Sequence, residues 1–402
     1  MNAIGIVAEY NPFHTGHGHQ IARSRAALGE NVPVVAVMSG NWVQQADCAI
    51  ADKWTRARLA LMGGADLVLE LPTVWATSSA EKFAQGAVEI LHAAGVVGRI
   101  SFGSECGDVD KLRRAAACLS TPEYHAAVAG LAGEGLPFAV CRQRAVEALV
   151  GAEIGAVLAD PNNNLGVEYI KALNALNSPI LPMTVQRQGA AHNSIRTDRP
   201  RFLSATQIRA ELRAGQGEQV EPWLLPDALP LLHDLPDLSR LERAILLKLR
   251  TMTAEDWAKL PDSGVAEGLP RRLEKAGREC RDLNDFYALC KSKRFTHARL
   301  RRLVLWALLG LTRADRPENP PYIRVLGFND RGQELLKGMK QNAALPVLTK
   351  PAHARKLDAD GRRLFELECR CTNLYDLCFK TVPAPGREWR TDPVRMGGGE
   401  NG

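Results

Sequence analysis

Five short runs of apolar residues, at 4–8, 32–38, 67–71, 99–102 and 180–186, punctuate the first half of the chain and read as strands buried on both faces. The stretches between them carry helical spacing. One helix is predicted from near His17 to about Leu28. A second follows Asp52 as N-cap, with Trp54, Arg58 and Leu61 on neighbouring turns and Gly63-Gly64 closing it. A third opens at the capping pair Ser78 and Glu81 and ends near Gly95. Residues 110–150 read as a helical insertion with breaks at Thr121-Pro122 and 133–137, and residues 165–176 as a further helix. Strands alternating with helices in this way predict the α/β class, a Rossmann-like parallel sheet wrapped by helices on both sides.

Ligands of such sheets sit beyond the carboxyl ends of the strands, and the polar residues of this chain collect there. The first strand leads into Val7-Ala8-Glu9-Tyr10-Asn11-Pro12-Phe13-His14-Thr15-Gly16-His17-Gly18-His19-Gln20. Asn11-Pro12 stops the strand, because a residue before proline avoids helical angles. His14 and His17 then stand at a strand-to-helix turn, where free N–H groups favour anions, glycines admit close approach, and imidazoles donate to phosphate oxygens. Neither the Walker pattern nor Gly-x-Gly-x-x-Gly occurs here, which disfavours a P-loop ATPase or a dehydrogenase. Ser39-Gly40-Asn41, Gly103-Ser104-Glu105 and Arg187 fall at other strand ends. Farther on, Ser204 and Gln207 form a capping box on a helix whose first turns carry Thr206 and Arg209, a second anion site.

Charge separates the second half from the first. Residues 222–236 are proline-dense and read as a linker, after which Ser239 and Glu242 cap a helix with Leu241, Ile245, Leu249 and Met252 on one side. Residues 271–302 hold eleven Lys and Arg against four acids, a net of +7, where the whole chain carries +6. A basic helical segment with Phe295 and His297 interleaved suits a nucleic-acid backbone, and Arg271, Arg272, Lys275, Lys291, Lys293, Arg294, Arg299, Arg301 and Arg302 are the expected RNA-binding residues. The expected division is residues 1–221 for the nucleotide fold, 222–382 for a mainly α-helical basic domain, and 383–402 for a Gly- and Pro-rich disordered tail. Nine scattered cysteines without Cys-x-x-Cys predict reduced thiols, with Cys369, Cys371 and Cys378 incidental and no metal site. The longest apolar run, 303–311, is too short to span a bilayer and no secretory leader opens the sequence, so a cytoplasmic protein with no membrane partner is expected.

His14-Thr15-Gly16-His17 resembles the HxGH signature of the nucleotidyltransferase superfamily, and Ser204-Ala205-Thr206-Gln207-Ile208-Arg209 is similar to its second motif. The chain more specifically resembles the tRNA(Met) cytidine acetate ligase family. The likeness runs through 9–17, Met38-Ser39-Gly40-Asn41, 66–72, Phe102-Gly103-Ser104-Glu105, 161–166, 204–206, 291–295, 322–327 and 345–350, which is most of the chain. That resemblance implies activation of acetate by ATP as acetyl-adenylate. Transfer to N4 of the wobble cytidine of elongator tRNA(Met) then follows, with Mg²⁺ accompanying ATP and no acetyl-CoA. It makes His14 and His17 the catalytic pair. Residues 7–20, Gly103, Asn162, Asn163, Arg187, Ser204, Thr206 and Arg209 become the ATP site. One loop departs from the family pattern: Gln44-Gln45-Ala46-Asp47-Cys48 stands where Gln-Arg-Gly-Glu-Pro is expected. A small-molecule adenylyltransferase and a non-catalytic RNA-binding relict remain the alternatives.

Overall fold

The computed structural model describes residues 2–133, 136–187, 202–292 and 294–397. Ten strands occur among them: β1 Ala3–Ala8, β2 Val34–Ser39, β3 Trp42–Val43, β4 Asp47–Cys48, β5 Leu67–Leu71, β6 Val97–Ser104, β7 Leu181–Gln186, β8 Ile323–Phe328, β9 Val347–Leu348 and β10 Val394–Arg395. The main sheet has the order β10-β8-β5-β2-β1-β6-β7, with β9 pairing β8 and with β3 and β4 forming a separate hairpin. Strands β5, β2, β1, β6 and β7 are parallel neighbours. The chain order reverses between β1 and β6, so the crevice beyond β1 is the switch point where such sheets take ligands.

Side-chain alternation explains why the strands read as continuous apolar runs. Ile4, Ile6, Val34, Ala36, Met38 and Val68 face one core, while Ala3, Val35, Val37, Leu67, Leu69 and Leu71 face the other. The helices Thr15–Leu28 and Lys53–Met62 cover the first face through Ile21, Ala57, Leu59 and Ala60. The helix Ala80–Ala93 covers the second through Phe83, Ala87 and Leu91. The predicted cap of that helix shifts by one residue. Its N-cap is Ser79, without a side-chain cap bond, because the Ser78 hydroxyl instead donates to the Val74 carbonyl at 2.7 Å.

The expected organisation changes in four places. The proline-dense segment 222–236 is not a free linker, since Leu224, Ala228 and Leu232 are buried in the same core as Ile208 and Leu212. The helix after it begins at Glu242 behind a short turn capped by Asp237, which accepts from the Ser239 N–H, so Ser239 is not its cap. The helical second half returns to the sheet, where β8 lies antiparallel to β5 and β10 parallel to β8. Residues 383–397 are ordered rather than a disordered tail: the turn of helix Arg387–Arg390 buries Glu388 completely, and β10 closes the sheet edge. The physical reason is charge. Lys53 and Arg324, both buried, demand carboxylates, and Glu388 supplies one.

Candidate active site

The corner after β1 is held by rings. Phe13 and Tyr10 are buried, with ring centroids 4.9 Å apart, and His17 packs on both at 4.9 Å from Tyr10 and 5.4 Å from Phe13. His14 stacks on His17 at 3.8 Å. The two imidazoles also form the cap of the helix Thr15–Leu28: His14 Nδ1 accepts from the Gly16 N–H at 3.0 Å, and His17 Nδ1 accepts from the His14 N–H at 3.2 Å. Each Nδ1 is therefore an acceptor without a proton, which puts the hydrogen of each neutral ring on Nε2 as a donor. Burial, then Arg187 and Arg209, lowers the His14 pKa to about 4. Burial, then His14 and Arg187, lowers His17 as well. Both rings are neutral at physiological pH. Glycine is required between them, because a Cβ on Gly16 would stand 2.8 Å from the His14 ring.

Other segments lock the corner in place. Asn11 is buried, and its side-chain oxygen accepts from the Ile50 N–H at 2.7 Å. The Glu9 carboxylate accepts from the Gln44 N–H at 2.9 Å, and burial raises its pKa. Buried Arg56 donates to the Glu9 carbonyl at 2.6 Å and to the Ser39 and Gly40 carbonyls, stapling the loops after β1 and β2. Sequence reading placed Arg58 on the helix face with Trp54, yet Arg58 is exposed and Arg56 does this work. Those acceptors lie 16, 17 and 47 positions from Arg56, so no local pattern reveals it.

The second motif comes to the same rim. Ser204 caps the helix Ala205–Arg213 through the Gln207 N–H, as the sequence predicts. Arg209 reaches back to donate to the Asn11 carbonyl at 2.8 Å and sits 3.3 Å from both the Thr206 hydroxyl and the Gln45 amide oxygen. Its charge bears on His14, as does that of Arg187. Arg187 leaves β7 beside β6, where a Cβ on Gly103 would crowd its side chain at 3.3 Å, and its guanidinium approaches Asn162 at 3.5 Å. The loop between Arg187 and Phe202 lies outside the described residues.

Asn162 and Asn163 are taken up by the protein. The Glu105 carboxylate accepts from the Asn162 amide at 2.6 Å and the Asn163 N–H at 2.8 Å, filling the N-terminus of the helix Pro161–Ala175. Buried Asn163 accepts in return from the Glu105 and Cys106 N–H groups at 3.0 and 3.2 Å. Asn163 thus shapes the loop after β6, with its amide oxygen engaged; Asn162 keeps its amide oxygen toward Arg187.

The family model of the HIGH Nucleotidyl Transferase matches residues 1–388. The chain is 39% identical over 397 residues to the tRNA(Met) cytidine acetate ligase of Caldanaerobacter subterraneus subsp. tengcongensis, covering 94% of this chain and 96% of that one. It is 35% identical to the enzyme of that name from Clostridium perfringens, with 95% and 96% covered. The chain belongs to the tRNA(Met) cytidine acetate ligase family. As a member it is an ATP-dependent ligase. The crystal structure of Thermotoga maritima TmcAL bound with alpha-thio ATP superposes with a TM-score of 0.90 at 33% identity, over 99% of this chain and all (100%) of that one. The apo form of that protein gives 0.92.

In this member of the acetate ligase family the basic segment is less free than its composition implies. Arg272 donates to the Leu289 carbonyl at 2.9 Å and the Lys291 carbonyl at 3.0 Å, closing the helix Leu283–Cys290. Arg299 pairs with Glu267 at 2.7 Å, and Lys275 lies 3.9 Å from Glu279. Phe295 is buried core, not an exposed stacking ring, whereas His297 is exposed against Tyr287 at 4.8 Å. Arg271, Lys275, Lys291 and Arg294 are exposed, Arg301 and Arg302 half-buried, and Lys293 lies outside the described residues. Arg301 stands near enough for its charge to bear on Arg209, and Tyr287 feels Asp47, so the basic helix His297–Leu309 borders the rim. No described helix is long and apolar enough to cross a membrane.

Proposed function

We propose that this rim binds ATP, joins acetate to its α-phosphate as acetyl-adenylate with release of pyrophosphate, and passes the acetyl group to N4 of the wobble cytidine of elongator tRNA(Met), with AMP and the amine proton leaving. The observation that carries the reading is the meeting of the His14–His17 pair with Arg209, a residue from far along the chain, at the switch point of the sheet. A relative of the same fold bound with alpha-thio ATP supports it.

Acetate is already an anion, so the first step asks the protein for position and charge neutralisation rather than for a base. The Nε2–H groups of His14 and His17 donate to phosphate oxygens as neutral groups, and the fixed positive charges come from Arg187 and Arg209. Thr15 adds a hydroxyl: its oxygen is buried and has no partner among the described residues. Gly16, Gly18 and the first helical turn offer backbone N–H groups, with Val7, Ala8 and the Glu9–Phe13 turn as the floor beneath them. Among the described residues no group of three or more His, Cys, Asp or Glu could hold a metal ion. Mg²⁺ accompanies the triphosphate as part of the substrate.

For the second step the cytosine must leave the anticodon stack. Arg301 and His297, on the helix bordering Arg209, face the approach, and the exposed Arg271, Lys275, Lys291 and Arg294 extend the positive surface. The protein acts in the cytoplasm, where its RNA substrate is, and draws on acetate and ATP in place of acetyl-CoA.

The test is exchange of labelled pyrophosphate into ATP. It should require acetate and fall by at least a hundredfold in His17→Ala, while nucleoside mass spectrometry of tRNA incubated with ATP and acetate should show N4-acetylcytidine. Exchange that ignores acetate would remove the substrate assignment.

A further inference from the structure

A second set of cations lies away from the adenylation rim and is treated differently by the fold. Two adjoining cavities meet at Pro261 and Asp262, the larger of about 380 Å³. Arg313 and Arg316 line the larger, together with Ser263 and Gly264, while Arg299 and Arg302 line the smaller together with Ser78. Of these four arginines only Arg299 has a carboxylate, Glu267 at 2.7 Å. Among the described residues Arg302, Arg313 and Arg316 make no ion pair within 4.0 Å. Arg316 donates to the Ser78 hydroxyl at 2.7 Å, and Arg313 points one amine at the Ala258 carbonyl, so both keep further N–H groups for another acceptor. The Nε of Arg302 is buried with no partner at all among the described residues.

Arg302 and Arg316 are half-buried and Arg313 is exposed; a half-buried guanidinium without a paired carboxylate is costly unless an anion arrives. Burial lowers the pKa of Arg302 and of Arg316, and the same Asp262 carboxylate is the group that works against it in both cases. The loop that carries Asp262 turns through left-handed backbone at Asp262 (φ 55) and Gly264 (φ 61), which sets its main chain against the cavity. Ser78 follows β5 through the short helix Thr73–Ala76, and the Trp306 indole donates to the Thr77 carbonyl at 3.2 Å. The cavity thus lies at the seam between the basic helix and the carboxyl edge of the sheet, the edge that also carries the His14–His17 corner.

We infer that Arg302, Arg313 and Arg316 form a second, non-catalytic phosphate seat that takes a backbone phosphodiester of the RNA substrate. Cations approaching from a helix, a turn and a loop suit a tetrahedral anion better than a planar carboxylate. A volume of about 380 Å³ leaves room for the attached sugar. The RNA source rests on the function proposed above; the phosphate chemistry does not.

The test pairs Arg313→Gln/Arg316→Gln with the charge-keeping Arg313→Lys/Arg316→Lys. Expected for the glutamine pair is tRNA binding weakened about tenfold, with the slope of log affinity against log salt shallower by roughly 0.7–0.9 for each phosphate no longer neutralised. Acetate-dependent pyrophosphate exchange should match the wild type, which reports an intact rim separately from RNA binding. The lysine pair should recover most of the slope, whereas guanidinium groups needed only for packing would leave it as weak as the glutamine pair. If the glutamine pair also loses exchange, the lysine pair decides. Inorganic phosphate raising the unfolding temperature of the wild type but not of the glutamine pair, with tRNA affinity equal in both, keeps the phosphate seat and overturns the RNA source. Unchanged tRNA slope together with no phosphate effect on the wild type overturns the inference.

Discussion

Two sets of charge flank the sheet, one buried and one open to solvent, and they are built on opposite terms. Beneath the turn after β2, Lys53 donates to Glu70 at 2.6 Å and to Glu388 at 2.5 Å, and Arg324 lies 3.4 Å from Glu388 and 3.5 Å from Glu70. Thr372 donates to Glu388 at 3.1 Å, and Glu368 accepts from both the N–H and the hydroxyl of Thr73 at 2.7 Å. Burial works against the charge on Lys53 and is outweighed by Glu388 and Glu70, which hold its pKa above the ordinary lysine range. Every cation there has a carboxylate. At the arginine seam Arg302 and Arg316 share Asp262. Matched charge fixes structure, and surplus charge of one sign leaves a place for something else to bind.

Breaking the matched set should have the largest effect. Lys53→Met strands two buried carboxylates on Arg324 alone, and loss of one partner from a buried pair costs about 3–5 kcal/mol. Urea unfolding should show this, and Glu388→Gln should cost less in the Lys53→Met background than alone. Additive losses would mean that the two side chains do not act as a unit.

The imidazole pair gives the next effect. His14, held at about 4, binds fewer protons in the folded than in the unfolded chain between pH 4 and 6.5. Its contribution is complete above about pH 6.5 and is lost as pH falls toward 4, on the order of 1 kcal/mol at pH 5 after allowance for its partial exposure. His17, also lowered, acts in the same direction. Buried Glu9, whose pKa is raised, opposes them, because its folded form prefers the proton. Wild type should therefore lose more stability between pH 7.5 and 5 than His14→Gln/His17→Gln; equal losses would contradict neutral imidazoles.

The smallest effect sharpens the role of the altered loop. Ala46 has φ 58, left-handed backbone, at the hairpin between β3 and β4 where the family pattern has glycine. Ala46→Gly should stabilise by about 1 kcal/mol in thermal or urea unfolding, since the turn strains any Cβ. The loop keeps its grip on the second motif by other means, with Gln45 on Arg209 at 3.3 Å and Asp47 on Arg213 at 3.5 Å.

Local sequence was enough wherever a local cause set the structure. The strand Leu67–Leu71, the Asp52 cap and the Ser204–Gln207 box stand where apolar runs and capping chemistry put them. The convergence of His14, His17 and Arg209 was legible because the two short motifs are expected together at one site. Long-range causes were not legible. Pro222 to Pro236 has the composition of a linker but packs because Leu224 and Leu232 meet Ile208 and Leu212 across the fold. Residues 383–397 look featureless until Lys53 and Arg324 are known to be buried nearby. Basic residues such as Arg272 and Arg299 appear free in a charge count, since their acceptors are carbonyls and a glutamate from other turns.

The pairing of Lys53 with Glu388 spans 335 positions. During synthesis at roughly 5–20 residues per second, that lysine waits on the order of 20–70 s for its carboxylate to leave the ribosome. The nucleotide fold cannot complete itself as an early, independent unit on the nascent chain, and a ribosome stalled late in the message would release a sheet with an unneutralised ammonium at its centre.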